Sequence, residues 1–178
     1  MKQPHPHRPL LFTLAAALTL GCTAFALAAD AIRIRAGTTK DHTDENGVVW
    51  LADQGFSGGD TIDRTGIVVA NTKTPSLYTA ERYSMDSFSR KLPNGKYTVK
   101  LHFAETYEGI YGKGERVFSF KVEDKEVKDF DVTARAGGVM RAHVETVEVV
   151  VADGQLDIKF THNIENPEIN ALEIIPAS

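Results

Sequence analysis

Tyr107, Glu108 and Tyr111 stand close together in a stretch that also holds Gly109, Gly112 and Gly114. Two amphipathic rings and a carboxylate on a glycine-rich loop can stack on the flat face of a ligand and accept hydrogen bonds from its edge. The flanking residues say how the loop is mounted. Tyr97, Val99, Leu101 and Phe103 alternate with Thr98, Lys100, His102 and Ala104, which is the period-2 pattern of a half-buried strand. Arg116 to Val122 leaves the loop as a second strand. A rigid strand thus delivers the rings to a loop spanning Leu101 to Arg116, the usual mounting of binding residues. A long hairpin with locally packed tyrosines fits the same pattern.

Other chemistries have few residues to work with. Cys22 is the sole cysteine, so no disulfide or cysteine metal site can form within the chain. His102 and His162 belong to no recognisable triad and to no His-Glu-x-x-His motif. Asp44 and Asn46 before Gly47 make an incomplete calcium loop, with His42 at its first position, and the stretch is better explained as a turn. No cofactor and no metal are expected. Glu105 continues the inward register of Leu101 and Phe103, and a buried carboxylate must be paired. Arg82, beside Glu81, is the expected partner.

The first residues have a different purpose. Lys2 and Arg8 precede an apolar run from Leu10 to Leu20, and Ala26-Leu27-Ala28 follows, as in a secretory signal peptide. The run is shorter than the ~20 residues of a membrane span. We expect a signal peptide over residues 1–28, cleavage after Ala28, one domain over 29–178, and a secreted or periplasmic location without membrane insertion. Lipid attachment at Cys22 is the lesser alternative, because Thr19 stands where a lipobox has an aliphatic residue. The formal charge of −4 becomes more negative once Lys2 and Arg8 leave, which argues against nucleic acid as a partner.

After the leader, strand signals recur at short intervals and helical periodicity is scarce. Ile32 to Ala36, Val48 to Ala52, Tyr97 to Ala104, Arg116 to Val122, Val127 to Val132, Val144 to Val151, Leu156 to Phe160 and Ile169 to Ile175 read as strands. Gly55 to Gly59 reads as a break, residues 60–76 are ambiguous, and Leu77 to Ser84 fits either a strand or a short helical turn. The pattern predicts an all-β protein, a β-sandwich or jelly roll of about nine or ten antiparallel strands.

Several segments, in order, carry a resemblance: Ile34-Arg35-Ala36-Gly37, Trp50-Leu51-Ala52-Asp53, Tyr78 to Tyr83, Tyr97 to Tyr107, Arg116-Val117-Phe118, Lys128 to Asp131 and Asn166 to Leu172. Together they are similar to the malectin family of carbohydrate-binding β-sandwiches, whose fold is galactose-binding-like. The resemblance implies a non-catalytic module that takes an oligosaccharide or polysaccharide. By position, Tyr107 is similar to a binding tyrosine of the family, Trp50 stands where a tyrosine is found, and Glu165 stands where an aspartate is found. Glu108 replaces a second aromatic, and no tyrosine between Gly59 and Tyr78 matches a further family one.

A sugar ring offers an apolar C–H face and a fringe of hydroxyls. Tyr107, Tyr111 and Trp50 could meet the face, and Glu165, Asn166, Glu108 and Asp53 the fringe, with carboxylates making the stronger hydrogen bonds. Tyr78 and Tyr83 should frame the core or the rim of the site. Two other classes stay open. An envelope adhesion or assembly module would bind protein through the sandwich face. A glycoside hydrolase would need two of Glu105, Glu108 and Glu165 at a defined separation.

Overall fold

The structure, a computed structural model, describes Met1 and residues 30–177. The expected leader, its Ala28 cleavage point and Cys22 lie outside the described residues. The chain begins with β1 (Ile32–Arg35), the short hairpin β2 (His42–Thr43) and β3 (Val49–Trp50), and β4 (Phe56–Asp63). A 3₁₀ turn, Pro75–Tyr78, leads into β5 (Ala80–Lys91), which is followed by β6 (Gly95–Phe103), β7 (Val117–Val122) and β8 (Lys125–Phe130). A single-turn helix α1 (Val132–Ala136) precedes β9 (His143–Val151), β10 (Gln155–Ile164), β11 (Glu168–Ile169) and β12 (Ala171–Pro176).

Alternation builds two facing sheets. One has the order β1-β12-β6-β9; the other runs β11-β5-β10-β7-β8, with β4 added on β5, and every pairing is antiparallel. Val99, Leu101 and Phe103 of β6, Val147, Val149 and Val151 of β9, and Leu172 and Ile174 of β12 point from the first sheet into a core. Phe88, Leu156, Ile158, Phe118, Phe120 and Phe130 meet them from the second. Phe103 and Phe130 have ring centroids 4.8 Å apart, and Phe118 and Phe120 complete the cluster. Such tilted aromatic pairs add about 0.5–1.5 kcal/mol each beyond the area they bury. The fold is the all-β sandwich that the alternation predicts.

A second, smaller core forms on the outer face of the first sheet, where Trp50, Val69, Leu77, Tyr78, Ala104, Ala142 and Ala171 pack together. A polar chain lies against it. Tyr78 Oη is 3.0 Å from His102 Nδ1, His102 Nε2 is 3.1 Å from Glu173 Oε1, and Arg33 Nε donates to Glu173 Oε2 at 3.0 Å. Burial pushes the Tyr78 phenol up to about 12.

Two local expectations change. Gly55 to Gly59 is largely strand rather than a break, because Gly58 and Gly59 adopt φ of 74° and 72° at a register shift in β4. A Cβ on Gly59 would lie against the Tyr83 carbonyl oxygen, so glycine lets β4 approach β5 there. Val127 to Val132 is likewise cut short: the strand stops at Phe130, and Asp131 caps α1 by accepting from Ala134 N–H at 2.8 Å.

Candidate functional site

One end of the sandwich gathers the charged and aromatic residues that the core cannot take. The end of β4 and the segment after it bring Ile62 and Arg64, and the start of β5 brings Glu81 and Tyr83. The loop after β6 brings Glu105, Thr106 and Tyr107, and the β10–β11 connection brings Glu165 and Asn166. Ile62 opposes Glu81, and Tyr83 opposes Glu168. Opposed residues of an antiparallel pair point to the same face, so these four share one side of the sheet.

Two ion pairs make the floor. Arg64 Nη1 lies 2.9 Å from Glu81 Oε1 and donates to Thr106 Oγ1 at 3.1 Å, while Thr106 Oγ1 donates to Glu81 Oε2 at 2.8 Å. Glu105 is 1% exposed, accepts from the Tyr107 N–H at 3.0 Å and pairs with Arg116 Nε through its other oxygen. Arg116 Nη1 also donates to the Asn166 carbonyl. The loop that carries Tyr107 and the wall that carries Asn166 are therefore tied through one buried Glu–Arg pair. Glu105 is buried as its register predicts, but its partner is Arg116. Arg82 instead binds Asp53, from Nε at 2.9 Å and Nη2 at 2.9 Å.

Above this floor is a cleft of about 280 Å³ lined by Ile62, Arg64, Glu81, Tyr83, Tyr107, Arg116, Glu165 and Asn166. A second depression of about 450 Å³ adjoins it, bounded by Ile62, Arg64, Thr65, Ile67, Tyr107 and Glu108. Tyr107 belongs to both and is 48% exposed, so part of its ring is open to a ligand. Gly109 lies against that ring, where a Cβ would collide with it. The arrangement can hold a flat, hydroxylated ligand: an apolar face on Tyr107 and Ile62, acceptors on Glu165 and Asn166, and N–H donors on Arg64.

Four of the expected site residues come together here: Tyr107, Glu165 and Asn166 in the first cleft, and Glu108 with Tyr107 in the second. Three do not. Trp50 is 3% exposed, its Nε1–H donates to Asp44 Oδ2 at 3.0 Å, and its ring meets the His102 ring edge-on, so it has no face left for a sugar. Asp53 spends its carboxylate on Arg82 and on the Gly37 N–H at 2.7 Å. Tyr111 is 80% exposed but lies outside the lining of both depressions. Asp44 does form the expected turn, accepting from the Asn46 and Val48 N–H groups at 2.9 Å. Burial acts to raise its pKa, but the Trp50 and backbone hydrogen bonds outweigh it and hold the carboxyl below the usual range. Among the described residues, no group of three or more His, Cys, Asp or Glu side chains could hold a metal ion, and no helix is long and apolar enough to cross a membrane.

Sequence reasoning missed Ile62, Arg64 and Arg116, and it did not place Glu81 in the site. A signal existed for the two arginines: Glu81 and Glu105 both interrupt apolar strand ends, and two buried acids require two bases.

Glu165 holds a backbone φ of 59°, a left-handed conformation costly for a side chain of its type. Glycine pays no such cost. Glu165→Gly is therefore expected to leave the melting temperature unchanged or higher while weakening sugar binding by about tenfold or more, the scale of one charge-assisted hydrogen bond. Thermal melting beside calorimetric titration checks this. Lower stability with unchanged affinity would make Glu165 a structural residue.

The Malectin domain family matches residues 31–172. A probable leucine-rich repeat receptor-like serine/threonine-protein kinase of Arabidopsis thaliana is 41% identical over 91 residues, covering 47% of this chain and 9% of the kinase. The chain thus spans about a tenth of the length of that curated relative. Among solved structures, a Bacteroides uniformis β-glucuronidase superposes with a TM-score of 0.75 at 18% identity, over 83% of this chain and 18% of that one. The ANXUR2 extracellular domain of Arabidopsis thaliana superposes with a TM-score of 0.71 at 17% identity, over 83% and 48%. At these identities the two structures are alike in fold.

Proposed function

The chain belongs to the Malectin domain family, and from that premise we propose that it is a secreted, non-catalytic carbohydrate-binding module for a glucose- or galactose-type oligosaccharide. One observation carries the proposal: the half-exposed Tyr107 ring divides two adjoining depressions whose walls supply Glu165 and Asn166 on one side and Glu108 on the other. A ring face between hydrogen-bonding fringes suits a saccharide better than a fully apolar ligand. Two of the buried acids, Glu81 and Glu105, favour a binding role over a hydrolytic one. Glu81 and Glu105 each have both oxygens engaged by arginine, threonine or backbone donors, whereas a glycosidase acid must give its proton to the leaving oxygen.

A glycan-array screen of residues 29–178 is the test. Retention of glucose- or galactose-type oligosaccharides is expected, and release of reducing sugar from any of them would favour the hydrolase instead. A second possibility, a protein-binding module, draws on exposed Tyr111, Val68 and Ile164, which stand outside the two depressions. A stable complex with protein and no glycan retained would favour it. Exported protein should begin at Ala29 or within a few residues of it, as N-terminal sequencing would report.

A further inference from the structure

Three acids and two bases lie beneath the cleft. Glu81 is matched by Arg64 and Glu105 by Arg116. Glu168 is the odd one: it is fully buried, and neither of its carboxyl oxygens has a hydrogen-bond partner among the described residues. An ionised carboxylate is costly in such a place unless donors surround it, and the nearby guanidinium groups are already committed. The charged and titratable groups facing Glu168 are Glu81 and Tyr83 from β5, Glu105 after β6, Arg116 ahead of β7 and Arg64 after β4. Burial first, then repulsion from Glu81 and Glu105, outweigh attraction to Arg116 and Arg64 and hold the Glu168 carboxyl well above the ordinary carboxylate range. With a proton on Glu168 the cluster is electrically balanced; without it, one negative charge is unmatched.

We propose that Glu168 is an uncharged carboxylic acid whose proton is linked to occupancy of the cleft above it, an inference that rests on the cleft being a saccharide site. The link runs through Arg116, which spans the Glu105 carboxylate and the Asn166 carbonyl. An ionised Glu168 competes for Arg116 and draws it away from Asn166, loosening the wall that carries Glu165. A bound sugar also displaces water from the cleft, which makes a charge on Glu168 costlier still. Both effects have the same sign, so sugar binds the protonated form better and affinity falls as pH rises through the Glu168 titration. Stability follows the same direction. The folded carboxyl keeps its proton to higher pH than the unfolded chain does, so the contribution is complete below the unfolded value and is lost as pH rises toward the folded one.

Glu168→Gln keeps the shape without the titration, and thermal melts of both proteins over about pH 5 to 9 require no sugar. Wild type should lose stability with rising pH more steeply than the variant, and parallel curves would overturn the proposal. Carboxyl NMR of wild type labelled on glutamate gives a second check. One resonance should stay at the protonated position at neutral pH and be missing from the variant; its absence from wild type would also overturn the proposal. Titrations with maltose and lactose, the glucose- and galactose-type probes, then address occupancy. Wild-type affinity should weaken with rising pH by roughly threefold or more, up to about tenfold per pH unit, while the variant stays flat. Diverging melts with equal pH dependence of affinity would break the link. Diverging melts with no binding of either sugar by either protein would instead overturn the saccharide reading and the linkage with it, leaving the buried acid in place.

Discussion

Glu105→Ala is expected to lower the unfolding free energy by about 3–5 kcal/mol, the cost of breaking a buried ion pair and stranding its partner. Arg116 is 5% exposed, and after the substitution its guanidinium would keep only the Asn166 carbonyl as an identified partner. The Tyr107 N–H would lose its acceptor as well. For a chain of this size each kcal/mol moves the melting temperature by about 2–4 °C, so thermal melting resolves the effect easily. Glu168 offers a way to refine it. Its carboxyl lies within reach of the Arg116 charge and could ionise to replace the missing Glu105, which would hold the loss toward the lower end of the range. Adding Glu168→Gln removes that reserve, so the double variant should be less stable than the two single effects predict. An unchanged melting temperature in Glu105→Ala would show that Arg116 finds its counter-charge elsewhere.

Tyr107→Ala should leave the fold intact and weaken saccharide binding by about 2 kcal/mol or more, the scale of a binding hot spot, which is roughly thirtyfold in affinity. The ring is half exposed and borders both depressions, whereas Trp50 is buried and Tyr111 lies outside the lining. With Glu108 in place of the family's second aromatic, no other tyrosine or tryptophan among the described residues borders both depressions. Tyr107 is thus expected to carry the stacking that a larger aromatic platform would share. Its backbone N–H is held by Glu105, and that bond survives the substitution. Calorimetric titration with the strongest glycan-array hit measures the loss, once equal melting temperatures have been confirmed.

The sandwich was legible in the sequence because alternation is local. Val99, Leu101 and Phe103 declare a strand without reference to any other part of the chain, and so do Val147, Val149 and Val151. The place of the Tyr107 loop was legible for a related reason, since the strand before it fixes where the loop emerges. Partner choice was not. Glu105 needed a base, but Arg82 and Arg116 are equally good candidates until β4, β5 and β7 are placed, and Asp53, 29 positions from Arg82, claims that arginine. Trp50 was misjudged because its burial depends on the 3₁₀ turn and Ala171 packing over it, which are distant in sequence. Gly58 and Gly59 read as a break because glycine usually ends a strand, yet here they permit a bulged one.

Occupancy of the cleft at Tyr107 by a saccharide can be followed residue by residue. Backbone amide NMR of the labelled protein, titrated with the best glycan-array hit, tests it most directly. Saturable shifts are expected at Tyr107, Glu165, Asn166 and the flanking Tyr83 and Arg64, with Trp50 and Asp53 unmoved. Saturable shifts centred on Trp50, Asp53 or the outer sheet face, with the Tyr107 loop unmoved, would contradict it.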